Sequence, residues 1–394
     1  MTKLRNLNTL SVSVVGASGY TGLELVRTLL QHPFVKLDTL YIRDETQTET
    51  LANLLSIHIP GSTYSISPSP SNHEVTWGYF SRSRVFRIQS LKSLVGSAPV
   101  PGGLVFLATP AEDSIYLASQ FLELGQSVID LSGAFRLSES EFETWYGFTH
   151  SQPKLITRAH YGLQPFASNK LPQLSAGPVL IANPGCYATA AALSVIPVLQ
   201  DNSLCDLDFV VMDAKSGTTG AGKKPRESLL LSEAGNDYVP YKIGNHQHEP
   251  EILKTLDGFT RSKLNLCFNT SLLPIARGIS VSTYLKLMRP SNTKEVLDLY
   301  KTAFQDYPLI QLFDLTDPRS EGYLKLNRVV GTAFARIGVH ASRNQLRIVT
   351  VIDNLMKGAA SQAIENLNAL LGLPLDTGLS GQEFLNECEG GIHS

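Results

Sequence analysis

From Leu10 to Val15 the chain is apolar and β-branched, and then the pattern changes abruptly to Gly16-Ala17-Ser18-Gly19-Tyr20-Thr21-Gly22. Leu23, Val26 and Leu29 follow at helical spacing until Pro33, so the stretch predicts strand, glycine turn and helix. A second strand-like run covers 35–42, a third covers Leu104 to Leu107, a helical pattern spans 112–124, and Val128 to Leu131 reads as another buried strand. Alternating β and α units of this kind predict an α/β fold, a Rossmann-type doubly wound parallel sheet.

Residues 61–103 are rich in Ser, Pro and Gly and carry weak strand patterns such as Val85 to Ile88, so they are expected to form an irregular excursion. Val179 to Ala182 is one more strand candidate, leading through a turn into a helix that opens at Cys186 and ends or kinks near Pro197. Beyond it the texture turns strand-rich, with runs at 209–214, 279–287, 328–340 and 345–352, the last two joined as a hairpin. The expected organisation is a nucleotide-binding domain over 1–185 and an α+β catalytic and dimerisation domain over 186–353. A C-terminal segment over 354–374, helical from Asn354 to Leu371, and a tail over 375–394 complete it.

With 394 residues, 43% of them hydrophobic and 17% charged, the chain is long enough for two or three domains. A net charge of -2 leaves no electrostatic footprint for nucleic acid or an anionic membrane. No apolar run approaches ~20 residues and no signal-peptide pattern opens the chain, so a cytoplasmic location is expected. The four cysteines, 186, 205, 267 and 388, are widely separated and form no Cys-x-x-Cys pair, which argues against a metal site or a disulfide framework.

A glycine triplet between strand and helix brings backbone N–H groups against a pyrophosphate at a helix N-terminus, and the context here favours dinucleotide binding over a plain turn. At the end of the second strand stands Arg43 followed by Asp44. Arg43 favours NADP over NAD; a solvated Arg–Asp pair is the alternative.

Among the four thiols, Cys186 alone opens a helix after a glycine turn, where the helix dipole favours the nucleophilic thiolate. A thiol nucleophile needs an acid/base partner, and His246 and His248 in Asn245-His246-Gln247-His248-Glu249-Pro250-Glu251 are the candidates; capping of a surface helix is the alternative reading. A second glycine-rich stretch, Ser216 to Lys224, offers close backbone approach and two lysines for an anion, or else a flexible connection.

Together the segments VVGASGYTGLELVRTLLQHP, VFLATPAEDS, DLSGAFRL, NPGCYATAAALS, AKSGTTGAGKK, NHQHEPEI, IARGI and DNLMKGAASQA resemble the N-acetyl-gamma-glutamyl-phosphate reductases of arginine biosynthesis, relatives of the aspartate-semialdehyde dehydrogenases. The resemblance implies that Cys186 attacks the acyl phosphate of N-acetyl-glutamyl phosphate to form a thioester, and that NADPH reduces it to the semialdehyde. It points to His246 rather than His248 as the assisting histidine, to Glu251 as binding substrate or orienting that histidine, and to Arg136, Arg277 and Lys224 as substrate-binding groups. Along the cofactor it implies Gly16, Ser18, Gly19, Tyr20, Thr21, Gly22, Arg43 and Thr109, with Ser216, Gly217 and Asn354 near the nicotinamide. It also implies a homodimer or homotetramer, and a small acyl-phosphate substrate as the only other partner.

Two positions depart from the family pattern. Ala188 stands where proline is common after Gly-Cys-Tyr, and Gln247 stands where arginine is common between the histidines, removing a charge beside the base. Reduction of an aspartyl or aminoadipyl phosphate is the nearest alternative activity. A Cys-His thiol hydrolase, or a nucleotide-binding regulator with a silent thiol, would come from other classes.

Overall fold

The computed structural model describes residues 9–42, 62–67, 73–79, 82–90, 102–167, 170–223 and 235–379. These divide into two compact units, one built from the described parts of 1–136, 150–183 and 363–379, the other from the described parts of 137–149 and 184–362.

The first unit is a nine-stranded sheet of β1 Leu10–Val15, β2 Val35–Ile42, β3 Ser62–Ser67, β4 His73–Tyr79, β5 Arg82–Ser90, β6 Leu104–Leu107, β7 Ser127–Asp130, β8 His160–Tyr161 and β9 Leu180–Ala182. Its order is β3-β4-β5-β2-β1-β6-β7-β9-β8. The run from β5 to β8 is parallel throughout. Every residue of β6 and β7 is buried, which is why these strands read as unbroken apolar runs instead of alternating ones. Strand order reverses between β1 and β6, and in a sheet of this type the crevice at that reversal is the ligand site.

The stretch expected to be irregular contains β3, β4 and β5, an antiparallel meander whose last strand joins β2 in parallel. In the sequence Val75, Trp77 and Tyr79 recur at every second position, a period of two obscured by the Ser- and Pro-rich composition around short strands.

The second unit carries a seven-stranded mixed sheet, order β11-β12-β10-β13-β16-β15-β14. Its strands are β10 Cys205–Ser216, β11 Val239–Pro240, β12 Leu266–Leu272, β13 Ile279–Leu287, β14 Ile310–Asp314, β15 Ala335–Ser342 and β16 Gln345–Ile352. In β13, Ile279, Val281, Thr283, Leu285 and Leu287 point to the buried face, while Tyr284 and Lys286 are exposed on the other. The helix Cys186–Leu199 covers the buried face and is apolar nearly all round, with every residue from Tyr187 to Leu199 buried. Ser194 in that helix meets the Thr283 hydroxyl at 2.9 Å. Pro197 lies inside the helix and donates no backbone hydrogen bond; in the turn below it the Tyr300 hydroxyl donates to the Ser194 carbonyl.

Two element boundaries differ from expectation. The strand expected from 328 begins at Ala335, because Leu326–Arg328 is a 3-10 turn and Gly331 takes φ +80°. The final helix does not start at Asn354: a π-helical turn, Met356–Ala360, precedes the α-helix Ser361–Leu370. Asp353 and Asn354 use their side chains on neighbouring segments, which holds the chain out of helical geometry at that point.

Candidate active site

Cys186 is the first residue of its helix. Gly185, the residue before it, is extended (φ -71°, ψ 154°) and contributes no side-chain cap, so the dipole end of a 14-residue helix is not quenched by a side chain of its own. The thiol residue is half-buried. A Cβ placed on Gly358 would fall 2.6 Å from the Cys186 Cβ, so the π-helical turn packs its bare backbone directly against the cysteine. π-Turns of this kind are concentrated at functional sites. Gly358 and the turn that presents it were not singled out in the sequence, although they lie in the segment DNLMKGAASQA.

Glu251 is buried, and one carboxylate oxygen accepts the Gly185 backbone N–H at 2.8 Å. Its other oxygen lies 3.8 Å from His248 Nε2. The carboxylate therefore fixes the turn in front of Cys186 and orients His248 rather than His246. His246 is itself buried, at 3% exposure, and walled by aromatic edges: ring centroids lie at 5.3 Å for Tyr187 and 5.7 Å for both Tyr241 and Phe268. Its Nδ1 accepts the His248 backbone N–H at 3.1 Å. Burial, helped by the neighbouring His248 and by the Lys242 charge, pushes the His246 pKa down to about 2 against the opposing pull of Glu251.

Two phenols adjoin the thiol. The hydroxyls of Tyr187 and Tyr241 are 2.9 Å apart. Burial pushes the Tyr187 pKa well above the ordinary phenol value and that of Tyr241 to about 12, and in both a negative Cys186 charge acts in the same direction. Both hydroxyls therefore stay protonated, as hydrogen-bonding groups rather than bases.

Gln247, which replaces a charged residue of the family pattern, accepts a hydrogen bond from Lys242 Nζ. A cation thus occupies this segment after all, supplied from five residues upstream, where Lys242 takes the left-handed conformation at φ 49°.

The glycine loop after β10 and the IARGI segment are built as one piece. A Cβ on Gly217 would lie 2.6 Å from the Ala276 carbonyl oxygen, and the Gly217, Thr218 and Thr219 amides donate to Gly278, Ile275 and Ala276. Asn354 clamps the pair, accepting from the Gly278 N–H at 2.8 Å and donating to the Thr219 hydroxyl at 3.0 Å. Ser216, Gly217 and Asn354 are thereby brought together, with Gly220 only 3.5 Å from the Ser216 hydroxyl by its notional Cβ. Arg277 forms a two-point pair with the fully buried Asp353, Nη2 to Oδ2 at 2.6 Å. Asp353 also accepts the Gly331 and Leu355 amides, so the guanidinium is aimed by an anchored carboxylate.

In the first unit, the glycine turn leaves the end of β1 and opens the helix Tyr20–Gln31. Gly16 takes φ +82°, and a Cβ there would lie 2.4 Å from the Ala108 carbonyl oxygen and 3.3 Å from the Thr109 methyl. A Cβ on Gly22 would lie 2.2 Å from the Gly16 carbonyl. Gly19 caps the helix with no side-chain bond, leaving its N-terminus bare, while Ser18, Tyr20 and Thr21 line the turn. The turn and Thr109 thus meet at the strand-order reversal between β1 and β6, a cradle suited to a pyrophosphate. Arg136 is buried, with Nε on the Asn183 carbonyl and Nη2 on the Leu131 carbonyl, each at 2.8 Å. The first of those bonds ties it to the backbone just before the cysteine turn, the second to the residue after β7. Arg43 and Lys224 lie outside the described residues.

Among the described residues no three His, Cys, Asp or Glu side chains are arranged to hold a metal ion, and no helix is long and apolar enough to cross a membrane.

Comparison with known proteins matches residues 186–354 to the semialdehyde dehydrogenase dimerisation domain and residues 11–76 to the semialdehyde dehydrogenase NAD binding domain. The N-acetyl-gamma-glutamyl-phosphate reductase of Streptococcus gordonii is 36% identical over 373 residues, covering 94% of this chain and 98% of that protein. The reductase of the same name from Listeria innocua is 35% identical over the same span. Among solved structures, aspartate semialdehyde dehydrogenase II of Vibrio cholerae aligns with a TM-score of 0.63 at 15% identity, covering 93% of this chain and 99% of that one, a likeness of fold. With identity of this level along nearly the whole length, and with the cysteine turn and histidine segment assembled in one unit, the chain belongs to the N-acetyl-gamma-glutamyl-phosphate reductase family.

Proposed function

We propose that this protein reduces N-acetyl-L-glutamyl 5-phosphate to N-acetyl-L-glutamate 5-semialdehyde and inorganic phosphate, through a thioester on Cys186. The observation that carries the reading is the thiol at an uncapped helix N-terminus, backed by Gly358 and adjoined by Tyr187 and Tyr241, against whose rings His246 packs, in a chain of this family.

In this reading the thiolate adds to the acyl carbon, and phosphate leaves. When bound, a reduced nicotinamide supplies the hydride that takes the thioester to the aldehyde level. Gly16, Gly19 and Gly22 provide the backbone cradle for its pyrophosphate, with Ser18, Tyr20, Thr21 and Thr109 around it; the close approaches at Gly16 and Gly22 fit that role, since a side chain at either would fill the space. Ser216, Gly217 and Asn354 keep a rigid, small-residue surface on the catalytic side. Arg277 supplies a fixed guanidinium fork for a phosphate or carboxylate oxygen, and Arg136 holds the backbone that delivers the cysteine turn. The preference for NADP rests on Arg43.

Self-association through the second unit is part of the proposal. The face of its sheet opposite the Cys186 helix exposes Tyr284 at 44%, beside Phe209 at 65% and Met288 at 62%, large apolar surface that a second copy would cover.

Phosphate-dependent NADP reduction, assayed with acetylglutamate, aspartate and aminoadipate semialdehydes, tests the substrate assignment. The account expects turnover with the first and little with the others; dominance of either rival reassigns the enzyme within the superfamily. Arg43→Ala is expected to weaken NADP far more than NAD, and equal losses would make Arg43 a structural residue.

A further inference from the structure

Lys357 is fully buried in the π-helical turn Met356–Ala360, one residue before the glycine that backs Cys186. Burying an amine costs free energy unless it is hydrogen-bonded, and a methionine would fill similar space without that cost. The amine is bonded: Nζ donates to the Tyr307 hydroxyl and lies 4.7 Å from the centre of that ring. Tyr307 is itself 4% exposed and follows the helix Thr293–Ala303. Its ring continues a ladder through Phe304 to Tyr300, with successive centroids 6.4 and 6.3 Å apart. At the other end of that ladder the Tyr300 hydroxyl donates to the Ser194 carbonyl in the Cys186 helix. One set of aromatic rings therefore grips both the helix that carries the thiol and the turn that backs it.

The turn needs a fixed register. The Gly358 and Ala360 amides donate to the carbonyls of Asp353 and Leu355, the i to i−5 bonding of a π-turn. Residues 356–360 read Met-Lys-Gly-Ala-Ala, so Gly358 alone among them lacks a Cβ. Its notional Cβ lies 2.6 Å from the Cys186 Cβ, where ordinary contact between carbons needs about 3.5–4.0 Å. A slip by one residue rotates the helical face by roughly 100° and brings a real Cβ, from Lys357 or Ala359, toward that gap. The cysteine would then have to retreat by about 1 Å.

We propose that Lys357 is a positioning residue for the nucleophile: pegged to Tyr307, it fixes the register of the π-turn so that the bare backbone of Gly358 is what meets Cys186. Its effect on turnover rests on the thioester reading above; its effect on the reactivity of the thiol does not. Neither proton nor ligand passes through the peg. A misplacement of about 1 Å at a reacting atom can cost on the order of 10²-fold in rate. Substrate contacts made by other residues stay as they are, so the loss falls on kcat and leaves KM unchanged.

The test compares wild type with Lys357→Met, Tyr307→Phe and the double variant. Each single change leaves one buried partner without the other and should lower the thermal midpoint, whereas the double change replaces both by apolar groups of similar shape and should restore it. Two rates are read beside the midpoint: steady-state turnover, and alkylation of Cys186 by iodoacetamide, followed on the Cys186 peptide so that the other thiols do not interfere. All three variants should lose about 10²-fold in kcat with KM unchanged, and all three should alkylate more slowly. The double variant should be no faster than the singles although its thermal midpoint has returned. A double variant that regains wild-type kcat and alkylation together with its stability would make the pair a packing element and overturn the proposal. So would single variants that lose stability but keep both rates. Should the double variant not fold, Tyr307→Phe, which leaves the sequence of the turn untouched, decides the matter by the same two rates. Turnover surviving in Cys186→Ser would instead remove the thioester reading, and the alkylation comparison would still decide the role of Lys357.

Discussion

Gly358 and Cys186 pack so closely that a Cβ on the glycine would lie 2.6 Å from the Cβ of the cysteine. The π-helical turn Met356–Ala360 is therefore the floor against which the thiol is set. Gly358→Ala has to move one of the two, and overpacking of this kind destabilises by about 1–3 kcal/mol. The expected outcome is a folded enzyme with a lowered thermal midpoint, a large loss of kcat, and slowed alkylation of Cys186. Unchanged alkylation kinetics would show that the thiol does not depend on that floor.

Asp353 is fully buried and accepts from Arg277, Gly331 and Leu355 together. Removing the carboxylate leaves a guanidinium and two amides without it, and breaking a buried pair from one side costs about 3–5 kcal/mol. Asp353→Ala should lower the denaturant midpoint accordingly. Arg277→Lys, which keeps the charge but loses the fork, should instead raise KM for the acyl phosphate with a smaller effect on stability. Measuring both by chemical unfolding and steady-state kinetics separates anchor from ligand.

The depressed pKa of His246 has a stability consequence. Its folded value of about 2 lies below the ordinary 6.5, so the unfolded chain takes up the proton first as pH falls. The contribution is complete above about pH 6.5 and is lost progressively on acidification toward the folded value. Thermal midpoints are expected to decline between pH 7 and pH 5 in the wild type, and less steeply in His246→Gln. Parallel declines would mean the histidine is not held neutral.

Lys242 donates to Gln247 and acts electrostatically on His246, which places a cation beside the position, between the two histidines, where the family pattern has an arginine. If that cation serves the substrate anion, Lys242→Met should raise KM several-fold, in keeping with roughly 0.5–1 kcal/mol for an exposed charge contact. kcat should change little. Adding Gln247→Arg to that variant should restore KM; failure to do so would make the lysine a loop fixture only.

How much of this was legible in the sequence follows from the physics of each part. The strand, turn and helix from Leu10 to Gln31 could be read because glycine spacing and apolar period are local properties, and β13 was read to its observed ends for the same reason. The Ser- and Pro-rich composition between β3 and β5 concealed their period of two. The roles of Gly358, Asp353 and Lys242 were not legible, because each depends on a contact across 5 to 172 positions of chain that no local pattern encodes. The same holds for the His246 tautomer: the motif names the histidine, but only the fold shows that a backbone amide occupies its Nδ1. For Glu251 the motif identified an important carboxylate, and the fold shows it bonded to Gly185 and directed at His248.

The covalent role of Cys186 is tested most directly by mixing the enzyme with N-acetyl-L-glutamyl 5-phosphate in the absence of nicotinamide cofactor and following the intact protein by mass spectrometry, with phosphate release measured in parallel. The account predicts a burst of phosphate of about one equivalent per active site and an acetylglutamyl adduct that maps to the Cys186 peptide and disappears when NADPH is added. Phosphate release without an adduct, or an adduct that persists in Cys186→Ser, would contradict it.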